Sequence, residues 1–158
     1  MNNKIETNSL ILILDNKDLF IEECDGNQLI NEAQDVFMAC IDSRFETLGF
    51  KFSLPTPETN FKVYELDDDL TFEKIFRSIS EDLDKLVFTL SQIISFCRKF
   101  RKKLPDNQYA LLFLTKNNGQ YFVINSDVFS SGYGAEISSF DSPDILMADD
   151  YYYVVVPN

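Results

Sequence analysis

Residues able to do chemistry gather in three places. "YELDDDLTFE", residues 64–73, holds Glu65, Asp67, Asp68, Asp69 and Glu73. "MADDYYYVVV", residues 147–156, sets Asp149 and Asp150 against Tyr151, Tyr152 and Tyr153. "SFCRKFRKKLP", residues 95–105, packs Arg98, Lys99, Arg101, Lys102 and Lys103 into six positions of a chain whose formal net charge is −12.

Carboxylates can exchange protons, hold hard cations or face a basic partner. The first cluster lacks the ligand spacing of an EF-hand loop, so no metal is assigned to it. At a strand-to-helix turn its acids would favour the positive end of the helix, with Asp69 or Thr71 placed to cap it. Its other reading is an acidic face for a basic protein. The second cluster adds tyrosine, which is enriched at interfaces. On an alternating strand Tyr151 and Tyr153 share one face and Tyr152 takes the other. Glu65, Asp67, Asp68, Asp69, Asp149, Asp150, Tyr151 and Tyr152 are the candidate partner-binding residues.

Composition removes many alternatives. The chain has no histidine, which excludes Ser-His-Asp and Cys-His nucleophiles, histidine general bases and histidine-ligated zinc. Cys24, Cys40 and Cys97 are odd in number and match neither a CxxC pair nor a zinc ribbon. They point to free thiols in a reducing cytoplasm. No phosphate-binding GxxxxGK[ST] loop exists, and "GYG" at 132–134 lacks the rest of a dinucleotide fingerprint. No cofactor, metal or catalytic residue is assigned; an enzyme working through carboxylates alone stays open.

The net charge repels nucleic acid and anionic membranes and attracts basic proteins. The basic knot fits a helix end, where cations complement the macrodipole at about 0.3–1 kcal/mol each. Arg98, Lys99 and Lys102 fall on its polar side, and Phe100 on its apolar side. No apolar run is long enough for a membrane span, and "LILIL" at 10–14 is too short for a signal-peptide core.

Behind these residues stands a set of expected elements. "SLILILD" reads as a buried strand with "DLFIEEC" as a hairpin partner across Asn16-Lys17. Ile30, Ala33, Phe37, Cys40, Ile41 and Leu48 recur at helical spacing, predicting a helix over 27–48 ended by Gly49. "NFKVYEL" reads as a strand. From Phe72 to Leu104 apolar residues alternate in steps of four and three, predicting a long helix over about 71–103, with a capping-box break signal at "SISE". Leu90 and Ile93 belong to its core side; Asp84, Ser91 and Arg98 to its polar side, where Phe88 is the odd member. "YALLFLT" and "QYFVIN" form a hairpin through Asn118-Gly119. Residues 126–150 read as loop, and "YYYVVV" as a closing strand. The fold class is α+β: a single domain of two or three helices, one long, on a mostly antiparallel sheet.

The expected function is a non-catalytic, acidic, cytoplasmic binding protein that neutralises a basic protein partner. Its most concrete form is a toxin-immunity protein, for example against a nuclease toxin. A small histidine-free enzyme and an acidic secretion chaperone are the alternatives; the chaperone requires a dimer and an apolar peptide groove.

Overall fold

The computed structural model describes residues 9–158. Within that span the strands are β1 (Leu10–Ile21), β2 (Cys40–Ile41), β3 (Thr59–Leu66), β4 (Ala110–Asn117), β5 (Gln120–Ser126), β6 (Val128–Phe129), β7 (Gly132–Ser139) and β8 (Tyr152–Pro157). The α-helices are α1 (Arg44–Thr47), α2 (Phe72–Ile79) and α3 (Leu90–Lys99). The structure is mixed α/β.

The strands make one sheet in the order β1-β3-β8-β4-β5-β7-β2, with β6 beside β7. Its ladders are antiparallel except β4–β8 and β2–β7. Asn118 and Gly119 take φ of +50° and +78°, the left-handed pair that a two-residue turn joining twisted strands requires. β4 is buried from Ala110 to Thr115 because both faces of the sheet are covered. Leu111, Phe113, Ile124, Val155 and Val63 pack on one face with α3 and residues 21–50. Leu112, Leu114, Val123, Val154 and Leu66 pack on the other with α2 and Leu83, Leu86, Phe140 and Leu146.

Four expected elements differ. The stripe from Phe72 to Leu104 is not one helix. α2 ends at Ser80, whose backbone is extended, and a 3-10 turn follows at Leu83–Leu86. α3 begins at Thr89 with a full capping box to Gln92. Between them Val87 bridges Leu114, and the Phe88 amide donates to the Leu114 carbonyl at 2.9 Å. Val87 packs with the α2 face and Phe88 with the α3 face, so the chain crosses the sheet here. The rungs of the stripe are nearly all buried, but on opposite faces of the sheet. Leu90 and Ile93 are core residues; Ser91, expected to be polar-facing, is buried, and Phe88 packs inside against Phe113.

The helix expected over 27–48 is replaced by a 3-10 turn at Ile30–Glu32, the strand β2 and the single-turn α1. Ile30, Ala33 and Phe37 are buried as their spacing implied. Parallel pairing of Cys40 and Ile41 with Gly134 and Ala135 outweighs local helix propensity. Gly49 does take the left-handed φ of +65° just after α1.

The hairpin expected at Asn16-Lys17 is one strand, β1, which pairs with β3 and bulges between Asp15 and Phe20. Asn60 on β3 fills the bulge, its amide donating to the Lys17 and Leu19 carbonyls at 2.9 Å each. The loop expected over 126–150 contains β6 and β7. Glycine is required at 134, because a Cβ would stand 2.7 Å from Cys40 Sγ and from the Phe129 ring.

Candidate functional site

The two acidic clusters meet. At the end of β3 the chain turns through Asp67–Leu70, and Leu70 exchanges backbone hydrogen bonds with Leu146 at 3.1 and 2.8 Å. Asp69 Oδ1 then accepts the Ala148 N–H at 2.8 Å. Asp67, Asp68, Asp69, Asp149 and Asp150 are all exposed around this joint. Thr71, not Asp69, caps α2, its hydroxyl accepting the Lys74 amide at 3.4 Å. Asp69 is thereby left to tie the two loops.

The tyrosines complete the surface. Tyr151 stands at φ +61° and is 59% exposed, a costly backbone state for a bulky residue. Its ring meets Tyr109 edge-on at 5.4 Å, and Tyr109 stacks on buried Tyr153 at 3.7 Å. The Tyr109 hydroxyl donates to Glu65 Oε1 at 2.8 Å. Burial first, and this hydrogen bond next, push the Tyr109 phenol well above its ordinary range, so it stays a donor. Glu65 is thus linked to Tyr151 through Tyr109. Exposed Ile145 and Met147 lie in the same loop as Asp149. Tyr152 is not part of this surface: it is half-buried against the opposite face of the sheet, with Val154 and Leu112.

Tyr109, Ile145 and Met147 escape a sequence reading, since nothing in their spacing sets them apart from core or loop. A second group escapes it as well. Glu136 on β7 lies beside Asp127, and burial together with the charge and hydrogen bond of Asp127 raises its pKa. Asp42 nearby is held low by its hydrogen bond to Arg44. A raised carboxyl in the fold favours the protonated state, so stability is full below the ordinary glutamate range and is lost as pH rises through the folded pKa. Glu136→Gln should therefore melt higher than the unsubstituted protein at neutral pH, with the gap closing near pH 4.5, the usual glutamate value. Thermal melts across that window check this.

The basic knot is mostly spoken for. Arg98 pairs with Asp35 at 3.0 Å and Lys99 with Glu22. Lys103 sits over the Phe100 ring at 5.6 Å. Arg101 turns inward, which the helix-end reading did not anticipate: it is 1% exposed. Its guanidinium donates to Ser126 and to the Tyr109 carbonyl and lies 4.1 Å over the Tyr133 ring.

The three cysteines are unbonded, and burial pushes the Cys97 thiol to about 12, far from nucleophilic use. Among the described residues no group of three or more Cys, Asp or Glu is arranged to hold a metal ion. No helix there is long and apolar enough to cross a membrane. No family model matches the chain, and neither a curated protein nor a solved structure matches it.

Proposed function

We propose that the protein is a non-catalytic, acidic binding protein, a single cytoplasmic domain that neutralises a basic protein partner as a toxin-immunity protein does. The partner would meet the joint surface of Asp67, Asp68, Asp69, Asp149 and Asp150, with Tyr151 as its aromatic anchor and Glu65 behind it. What supports this most is the Asp69–Ala148 hydrogen bond, which merges two acidic segments far apart in sequence around exposed apolar side chains. Charged rim around aromatic anchor is the usual division of labour at an interface.

The test starts by co-purifying the partner from the native host, followed by binding kinetics. The triple variant Asp67→Asn, Asp68→Asn, Asp69→Asn should associate more slowly and with a flatter salt dependence, because it weakens long-range steering. Tyr151→Ala should leave association alone and speed dissociation, by about 2 kcal/mol if it is an anchor. Unchanged rates in both variants would remove this surface from the interface.

A histidine-free enzyme is the second reading. It draws on Glu136 and Asp127, two neighbouring carboxyl groups of which Asp127 helps to raise the Glu136 pKa, as one carboxyl does for another where a pair serves as general acid and base.

A further inference from the structure

β1 is an end strand of the sheet, and half of it is unprotected. Strand edges are normally blunted by charge, proline or a bulge, because their free backbone groups pair with any strand that fits. Between Asp15 and Asp18 β1 carries three charges, and it bulges after Asp15. From Leu10 to Leu14 it reads "LILIL", with no charge, proline or glycine.

The direction of its backbone groups follows from the ladder. The Asp67 amide donates to the Ser9 carbonyl at 3.0 Å, so Ser9 and Asp67 are a hydrogen-bonded pair. Such pairs alternate with non-bonded ones along an antiparallel ladder. Leu10, opposite Leu66, and Leu12, opposite Tyr64, are the non-bonded ones, so their N–H and C=O groups point outward from the sheet. Nothing among the described residues hydrogen-bonds to them there. Ile11, 44% exposed, and Leu12, 47% exposed, stand on the two sides of this edge. On the α2 side a notch of about 280 Å³ opens beside Leu10 and Leu12, walled by Tyr64 and Ile79.

Outward N–H and C=O groups two residues apart require a strand, and the side chains decide which. A basic strand would lay desolvated cations on Ile11 or Leu12, where the stretch from Leu10 to Leu14 offers no carboxylate. The same stretch of a second copy meets it with no charge on either side. An antiparallel two-fold centred on Ile11 sets Leu10 against Leu12 of the second copy, and Leu12 against its Leu10. Four backbone hydrogen bonds close between these outward-facing groups. The two Ile11 residues face each other at the axis with Cα atoms about 4.5 Å apart, the spacing of a non-bonded pair. Four leucines make one apolar strip on the α2 side. The pairing is isologous, so it closes at two copies and uses up both exposed edges.

We infer that the protein forms a two-fold dimer through β1, edge to edge, with Leu10, Ile11 and Leu12 at its centre. The dimer does not rest on the acidic surface assigned to a basic partner, and electrostatics separate the two. Two chains of −12 repel each other, and Glu65 lies beside Ile11 on the neighbouring strand of each. Salt should therefore strengthen the dimer where it weakens capture of a basic protein.

Sedimentation equilibrium of the full chain over a concentration series tests it. A monomer–dimer equilibrium is expected. Its association constant should rise about threefold or more between about 0.1 M and about 1 M salt, as the Debye length falls from about 10 Å to about 3 Å. Ile11→Lys takes the formal charge of −12 one step towards zero, which by itself favours association. It also sets like charges face to face at the axis, and should weaken the dimer about tenfold. Cysteine substitutions read the register without relying on that variant. Ile11→Cys places two thiols on facing residues within disulfide reach, and should give a covalent dimer in a glutathione redox buffer. Leu12→Cys places them diagonally, about 7–8 Å apart and out of reach, and should cross-link no more than the unsubstituted protein. A chain monomeric throughout the series, open-ended assemblies, association that salt weakens or that Ile11→Lys leaves unchanged, or cross-linking at 12 equal to that at 11 would overturn the assignment.

Discussion

Arg101→Ala is expected to lower the stability of this protein by about 3–5 kcal/mol, from three interior acceptors losing a charged donor and the void the side chain leaves. The guanidinium holds the Ser126 carbonyl and hydroxyl at 2.8 Å each and the Tyr109 carbonyl at 2.7 Å. It joins the end of α3 to the last residue of β5 and the approach to β4. No carboxylate forms an ion pair with it among the described residues, and burial lowers its pKa from the ordinary arginine value. Carbonyl dipoles and the Tyr133 ring therefore carry the compensation for a desolvated charge. Arg101→Met should fall between the two, since it restores packing but not the hydrogen bonds. Arg101→Lys lacks the fork that reaches both carbonyls and should also lose stability. Urea unfolding measures all three. A loss under about 1 kcal/mol for alanine would mean that water replaces the guanidinium at no cost.

Phe96→Ala should cost a similar amount, about 3–5 kcal/mol, as a large aromatic side chain removed from a closed interior. Phe96 is fully buried on α3, and its ring lies 4.9 Å from Phe61, 5.4 Å from Phe113 and 5.6 Å from Phe100. Two of these contacts are edge-on, the geometry that adds to simple burial. Because Phe61 is on β3 and Phe113 on β4, one ring ties α3 to two strands of the sheet. For a domain of this size each kcal/mol moves the melting temperature by about 2–4 °C, so a fall of about 10 °C is expected. Phe52→Ala, at a residue 58% exposed, should stay within about 0.5 kcal/mol of the unsubstituted protein. Equal effects at the two positions would remove the aromatic cluster from the core.

Several elements were legible because their signals are local. The turn at Asn118-Gly119 needs two left-handed residues, and those two residue types tolerate that state. "NFKVYEL" and the valines after Tyr151 are apolar runs bounded by turn residues, and they form β3 and β8. β7 was not legible: "GYGAEISS" is polar on one side and glycine-rich, and it becomes a strand only because β5, β6 and β2 all hydrogen-bond to it. The acidic segments were each visible as dense runs. Their junction was not, since it rests on the Leu70–Leu146 backbone pair and on one side chain of the first run meeting one backbone amide of the second.

What the sequence determined by itself is which apolar rungs between Phe72 and Leu104 leave water, where the Asn118-Gly119 turn lies, and the chemistry that cannot occur without histidine. These depend on side-chain type and near-neighbour spacing. The alternation of threes and fours from Phe72 to Leu104 correctly marks apolar rungs, since α2 and α3 each bury one helical face and so repeat near 3.6 residues. The tertiary structure alone decided that α2 and α3 lie on opposite faces of the sheet. A periodicity reports that a residue is buried and is silent about which surface buries it. The same holds for Arg101, whose charge reads as a solvated helix end until the carbonyls of Tyr109 and Ser126 are brought around it. In each case the deciding partners are distant in the chain, and only long-range backbone pairing places them within hydrogen-bonding reach.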